Sequence, residues 1–216
     1  LQTAESKGDY FWGYPHMSTV KGIFCAGDAS GASSHKFSSG SHAEGRLAAK
    51  GAIAYIVDNP TAANVDDAVI EGLKKEILAP LDRFAEFSGN TTDADVNPDY
   101  IRPKMFMFRL QKIMDEYAGG VTAQFMTSKA LLAKGMDLLD FLREDSEKIA
   151  ADGLHELMRA WENIHRMWQA EAHVRTILFR EETRWPGYYF RADFPEMKDD
   201  WKVFANCKWN PANGEW

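Results

Sequence analysis

The residues best suited to chemistry form one run near the start of the chain. An apolar stretch, residues 23–26, ends in Gly27 and Asp28, and small residues then lead into a predicted helix from about residue 41 to 57. In an α/β fold, a strand, a small-residue turn and a helix bring backbone N–H groups up to a ligand. Asp28 would follow the carboxyl end of the strand and could accept hydrogen bonds from sugar-like hydroxyl groups. Such a turn also occurs often as a plain connector.

Side chains within this turn add further chemistry. His35 could donate a hydrogen bond to an anion or act as an acid or base near neutral pH, or it could cap or pack locally. Lys36 could balance the charge of an anionic ligand or simply be solvated. The head of the predicted helix is small and polar, with Ser38, Ser39, Gly40 and Ser41. These residues favour either ordinary N-capping or a ligand held by the first amides of the helix.

Composition narrows the class of protein. The 216 residues are 45% hydrophobic and 26% charged, which is typical of a globular protein with one large or two small domains. A net charge of −7 with scattered basic residues argues against nucleic acid or an anionic membrane as the main partner. Cys25 and Cys207 are too far apart in sequence to suggest a zinc site or a disulfide framework, which favours a reducing compartment, the cytoplasm. No apolar run approaches the about 18 residues of a membrane span.

The rest of the chain is predicted to be mostly helical. Apolar residues recur at helical spacing in the segments 66–87, 103–117, 128–151 and 154–179. Pro80 should kink or break the first of these helices. Residues 88–98 predict an exposed loop and a domain boundary, and the last three helices predict a bundle. Residues 183–195 contain two prolines and are expected to be extended, and residues 201–206 could form a strand.

Other polar and aromatic residues are better explained as structural. The long predicted helix carries three histidines without the i, i+4 spacing of a metal site, namely His155, His165 and His173. Trp161 and Trp168, seven residues apart, are expected in the core or in a subunit contact. Arg184, Arg191 and Asp193 could pair with one another and hold the bundle against the preceding domain.

Three stretches together resemble the alpha-subunit family of dissimilatory adenylylsulfate reductases, within the fumarate reductase/succinate dehydrogenase flavoprotein superfamily. The first stretch covers residues 27–46 and contains HKFSSGSHAEGR; the second covers residues 110–117, LQKIMDEY; the third covers residues 154–189, from LHELMRAWE to RWPGYY. The resemblance implies the C-terminal part of a larger flavoprotein. Residues 1–88 would be the tail of an FAD-binding α/β domain and residues 99–216 a helical bundle with an extended tail, so the fold would be mainly α with a small α/β part.

The resemblance also implies an activity. Members of the family reduce adenylylsulfate to sulfite and AMP, or run the reverse reaction, with noncovalently bound FAD. Electrons come from an iron–sulfur beta subunit that holds the clusters, so this chain would act in a heterodimer and be inactive alone. The sequence has no GxGxxG motif for a dinucleotide pyrophosphate, so the other walls of an FAD site would lie elsewhere.

Site residues follow from the resemblance by position. His35 matches the active-site histidine near the substrate sulfate, and Phe84 matches an aromatic residue near the substrate, so both are expected to be catalytic. The FAD contacts expected are Gly27, Asp28, Lys36, Ser38, Ser39, Gly40, Ser41 and His42. Asp28 would face the ribityl chain, residues 38–42 would face the flavin pyrimidine, and no metal ligand is expected.

Two alternatives stay open at this point. The chain could belong to another flavoprotein of the superfamily, such as a fumarate reductase or an aspartate oxidase. Those proteins would have Asn-Arg in place of His35 and Lys36, and the missing arginine disfavours a dicarboxylate substrate. A helical interaction module without catalysis, built on residues 154–179, is the alternative from a different class.

Overall fold

The computed structural model of the protein describes residues 12–30, 37–62, 64–90, 98–184, 189–203, 205, 207–210 and 212–216. The chain is mainly helical, as predicted. Its elements in chain order are a 3-10 turn (Gly27–Ala29), α1 (Ser38–Asp58), α2 (Asp67–Phe87), α3 (Pro103–Tyr117), β1 (Met126–Thr127), α4 (Lys129–Ser146), α5 (Leu154–Phe179), β2 (Phe190–Arg191) and a second 3-10 turn (Asp199–Trp201).

Contacts divide the chain into a first unit, Leu1–Val65, and a second unit, Asp66–Trp216. Helix α2 belongs to the second unit because it packs against α5. The domain limits expected for the whole protein, 1–88 and 99–216, stay a prediction.

In the first unit, a loop reverses direction and lies along α1. Met17 and Phe24 form a single antiparallel bridge, and the Ser18 amide donates to the Ile23 carbonyl at 2.8 Å. The strand predicted at residues 23–26 is therefore wrong, because a strand needs a continuous ladder and the described residues supply one bridge. Gly51 lets the loop approach α1 closely, since a Cβ there would lie 2.3 Å from the Pro15 carbonyl oxygen.

Helix α1 begins at Ser38, three residues before the predicted start. Its buried residues, Glu44, Ala48 and Gly51, form a narrow stripe at the i, i+4, i+7 spacing of one helical face. Apolar side chains elsewhere on the helix, including Ile53, Ile56 and Val57, are exposed.

Helix α2 runs through Pro80 as one helix, so of the expected kink or break the break does not occur. Proline lacks an N–H and disturbs the carbonyls of the preceding turn. Other parts of the second unit bond the backbone here: the Trp161 indole donates to the Ile77 carbonyl at 2.9 Å, and the Ala151 amide donates to the Pro80 carbonyl at 2.9 Å. These bonds tie the part of α2 around Pro80 to the rest of the second unit.

The predicted bundle is formed by α3, α4 and α5, which pack against one another. Buried apolar residues from all three helices make one core, which includes Phe106, Leu132, Leu139, Leu142 and Met167. Helix α4 starts after Ser128, whose hydroxyl accepts from the Leu131 amide, and ends at Ser146, before the predicted residue 151. It ends early because the next residues pair with Ile101, whose amide and carbonyl bond Lys148 and Ala150.

Of the segment predicted to be extended, residues 183–195, strand β2 is extended, a turn follows it in which the Phe194 amide donates to the Arg191 carbonyl at 3.0 Å, and residues 185–188 lie outside the described residues. Strand β2 pairs in parallel with β1, and Arg191 on β2 is fully buried. The Arg191 guanidinium donates to the carbonyls of Ile177 and Arg180 at 2.5 and 3.1 Å and pairs with Asp193 at 2.8 Å. It thereby satisfies carbonyls at the end of α5 that have no helical donor. The predicted Arg191–Asp193 pair is confirmed.

Arg184 pairs instead with Glu182, which also binds Arg180. Burial would raise the pKa of Glu182, but hydrogen bonds from Arg184, the Lys198 amide and Arg180 hold it at about 2. The contacts of this cluster join parts of the second unit. The strand suggested at residues 201–206 is not confirmed: Trp201 ends the second 3-10 turn, and residues 204 and 206 lie outside the described residues.

Candidate functional site

The Gly27 turn is the local structure that presents Asp28. Gly27 has φ +62°, in the left-handed region, and its carbonyl accepts from the Ser30 amide at 2.9 Å. A Cβ on Gly27 would lie 3.1 Å from the Ser41 Oγ and 3.4 Å from the Ser41 Cβ. Glycine therefore gives both the turn conformation and the close approach to α1, and it leaves Asp28 exposed beside the helix start.

Two buried side chains bond the backbone of this segment, one at the turn and one just before it. Glu44 on α1 is 6% exposed, and its Oε2 accepts from the Gly27 amide at 2.7 Å. His16 is 4% exposed; its ring Nδ1 lies 3.0 Å from the Cys25 carbonyl oxygen, and its own carbonyl accepts from the Cys25 amide at 2.9 Å. The backbone that leads to Asp28 is thus fixed by hydrogen bonds shielded from water.

The thiol of Cys25 lies within the same segment but is not suited to nucleophilic chemistry. Burial raises the pKa of Cys25, so the unreactive thiol form is favoured at neutral pH. The residue contributes to packing beside the turn.

Among the described residues, no side chain caps the start of α1. Phe37 at the N-cap provides no side-chain hydrogen bond, and the Ser41 amide makes the first backbone bond, to the Phe37 carbonyl at 3.0 Å. Ser38 and Ser39 are exposed and Gly40 and Ser41 are half-buried, with no acidic residue in the first turn. The first amides of a helix lack intrahelical acceptors and carry partial positive charge, so this end can receive an anionic or carbonyl-bearing group.

The structure brings together part of the predicted site. Gly27 lies close to Ser41, and Asp28 and His42 are exposed on the two elements that meet there. His35 and Lys36 lie outside the described residues. Phe84 lies on α2 in the second unit, where its ring contacts Tyr100 edge-on at 6.1 Å and the Arg102 guanidinium at 4.9 Å.

Glu44 and His16 are the residues that sequence reasoning missed. Glu44 stands in the motif that carries the resemblance, and its spacing to Ala48 and Gly51 places it on the buried face of α1. Hydrophobic spacing could not reveal that burial, because apolar residues of α1 such as Ile53 and Ile56 are exposed. No local pattern marks His16, because its partner Cys25 is reached only when the loop folds back.

A cavity of about 530 Å³ in the second unit is a weaker candidate. It lies between the end of α5 and the second 3-10 turn and is lined in part by Arg180, Arg184 and Trp201. The Arg180 guanidinium already donates to Glu182 and to the carbonyls of Trp201 and Val203, and Arg184 donates to Glu182 and Lys198. Their hydrogen bonds support the fold, and the described lining contains none of the predicted site residues.

Metal and membrane features are absent from the described residues. In that part of the chain, no group of three or more His, Cys, Asp or Glu residues could hold a metal ion. Across the described helices, none is both long and apolar enough to cross a bilayer.

Comparison with known proteins identifies one group of relatives, although no family model matches the sequence. The chain is 48% identical, over 203 residues and 94% of its length, to the adenylylsulfate reductase alpha subunit of Megalodesulfovibrio gigas. The expected resemblance is confirmed. The chain spans 30% of the length of that adenylylsulfate reductase subunit. A weaker match, 25% identity over 93 residues, is to an uncharacterised FAD-dependent oxidoreductase of Methanocaldococcus jannaschii, of which the chain covers 16%.

Solved structures of adenylylsulfate reductase also match this chain. Adenylylsulfate reductase from Archaeoglobus fulgidus matches with a TM-score of 0.89 and 53% identity, over 94% of this chain and 32% of that one. A structure described as adenosine-5-phosphosulfate reductase in covalent adduct with sulfite matches equally well. E. coli quinol fumarate reductase FrdA shares the fold alone, with a TM-score of 0.62 and 22% identity over 86% of this chain and 31% of that one.

Proposed function

We propose that this chain is part of the alpha subunit of an FAD-dependent adenylylsulfate reductase and forms one wall of its flavin site. The observation that carries the proposal is the Gly27 turn beside the start of α1, where the described residues supply no side-chain cap, within a chain 48% identical to such a subunit. The whole enzyme would convert adenylylsulfate to sulfite and AMP, or run the reverse reaction. As one part of that subunit, the chain would be inactive alone.

The described residues fit an FAD isoalloxazine and ribityl chain. Exposed Asp28 would accept hydrogen bonds from ribityl hydroxyl groups, and Gly27 would allow close approach of the cofactor to the backbone. The amides of Ser38, Ser39, Gly40 and Ser41, with His42 beside them, would face the pyrimidine edge. Bound FAD supplies the two-electron chemistry, and the positive end of α1 would favour the negative charge that FAD gains on reduction by about 0.3–2 kcal/mol.

The substrate side of the site rests on residues assigned by the resemblance. His35 would hydrogen-bond the sulfate group of adenylylsulfate, and Lys36 would balance negative charge near the flavin. Phe84 would lie near the substrate. In the reductive direction the bond between sulfur and the bridging oxygen breaks, sulfur takes up two electrons, and AMP leaves with that oxygen.

The remaining parts of the enzyme are proposed as the resemblance implies them. An iron–sulfur beta subunit would hold the clusters and deliver electrons, forming a heterodimer with the complete alpha subunit in the cytoplasm. The other walls of the FAD site would come from parts of the alpha subunit outside this chain.

The experiment uses the complete gene product that contains this chain. The purified protein should carry FAD, and titration with sulfite should bleach the flavin absorbance, whereas fumarate should not reoxidise the reduced flavin. A protein without FAD would contradict the proposal and favour an interaction module. A flavoprotein that ignores sulfite and is reoxidised by fumarate would point instead to the fumarate reductase group.

A further inference from the structure

We propose that Glu44 is a positioning residue that sets where Asp28 meets the cofactor. The inference about the turn depends on geometry alone, and its consequence for FAD rests on the proposed function. Glu44 has no place among the expected flavin contacts. Its carboxyl group is buried in the first unit and accepts from the Gly27 amide at 2.7 Å.

Two residues of α1 lie beside Gly27 in the described part of the chain. The Glu44 carboxyl accepts from the Gly27 amide, and Ser41, one helical turn earlier, lies so close that a Cβ on Gly27 would be 3.1 Å from its Oγ. The hydrogen bond holds the turn against α1, and the absence of a Cβ on Gly27 leaves room for that close approach. Hydrogen bonds buried away from water hold such distances better than exposed ones.

Asp28 follows Gly27 directly, so a shift of Gly27 moves the Asp28 carboxyl relative to the first amides of α1. In the proposed site these two groups bind different parts of one cofactor, the ribityl chain and the pyrimidine edge. A cofactor held at two points is sensitive to the distance between them. Glu44 would therefore tune FAD binding without touching FAD.

The two Glu44 variants separate the charge of the side chain from its acceptor oxygen. Glu44→Ala removes the acceptor, whereas Glu44→Gln keeps an acceptor oxygen at a similar distance and removes the carboxyl group. The matched control is Asp58→Ala, at the opposite end of α1, which removes an exposed acceptor that binds the Tyr14 hydroxyl at 3.0 Å.

Amide hydrogen exchange in the FAD-free form of the complete protein tests the geometric claim. In Glu44→Ala, peptides covering residues 25–30 should exchange about five- to hundredfold faster, the range expected when a buried hydrogen bond is lost. Glu44→Gln should restore exchange to within about threefold of the wild type, and Asp58→Ala should leave these peptides unchanged. Unchanged exchange in Glu44→Ala, or equal acceleration along all of α1, would overturn the inference.

FAD affinity tests the consequence for the site. The dissociation constant for FAD should rise in Glu44→Ala by about the same five- to hundredfold factor, recover in Glu44→Gln, and stay unchanged in Asp58→Ala. If the wild type binds FAD and Glu44→Ala binds it equally well, the positioning role fails although the proposed function stands. If the wild type binds no FAD, the proposed function fails, and the exchange data alone decide whether Glu44 fixes the turn.

Discussion

Replacing Gly27 by alanine tests the local structure on which the site depends. Gly27 has φ +62°, where an L residue with a Cβ pays about 1–2 kcal/mol. The new Cβ would also lie 3.1 Å from the Ser41 Oγ, a contact that a rotation of the serine hydroxyl can partly relieve. Together these effects predict that Gly27→Ala destabilises the turn by about 1–3 kcal/mol, or about five- to 150-fold in its opening equilibrium.

Gly45 provides the matched control in the same unit. It lies within α1 with ordinary helical geometry, and a Cβ there would meet no atom within 4 Å. Alanine should therefore stabilise the helix at this position by about 0.5–1 kcal/mol. The same substitution is thus expected to act in opposite directions at two glycines eighteen positions apart in the sequence.

Amide hydrogen exchange measures both effects where they occur. Peptides covering residues 25–30 should lose protection in Gly27→Ala, and peptides from α1 should gain protection in Gly45→Ala. If Gly27→Ala protects the turn as Gly45→Ala protects the helix, the turn does not need a left-handed glycine and the site geometry described above is wrong.

Two further predictions concern the second unit. Arg191→Ala should lower its free energy of unfolding in urea by about 3 kcal/mol, because the guanidinium is buried, paired with Asp193 and bonded to the end of α5. Arg159→Ala, which removes an exposed i, i+3 ion pair, should cost at most about 0.5 kcal/mol, and equal losses would refute the capping role. Glu182 has a pKa of about 2 in the folded protein against 4.5 ordinarily, so its stabilising contribution is complete above pH 4.5 and disappears as the pH falls toward 2. Glu182→Gln should flatten the pH dependence of stability in that interval, and an unchanged profile would contradict the assignment.

The helices could be predicted because their signals are local. Apolar spacing located α3 and α5 to within the observed bounds, and Ser128 marked the start of α4. The errors came from pairings between distant residues. The pairing of Ile101 with Lys148 and Ala150 lies directly beyond the end of α4, where the sequence pattern still predicted helix. A single sequence gives no sign of such partners.

The site shows the same division between local and distant signals. The order of residues, glycine then aspartate ahead of a serine-rich helix start, could be read from the sequence. The structure places Gly27 close to Ser41. The strand predicted at residues 23–26 was wrong because a strand forms only by pairing with another strand. Turns and caps depend mainly on the residues that form them. His16 could not be found, since its role arises only when the loop reverses and brings Cys25 beside it.

The central claim is that the Gly27 turn and the start of α1 form a wall that contacts FAD. The most direct test compares amide hydrogen exchange of the complete protein with and without FAD. The account predicts that FAD slows exchange in peptides covering residues 25–30 and 38–42. FAD that binds without changing exchange in either peptide would contradict it.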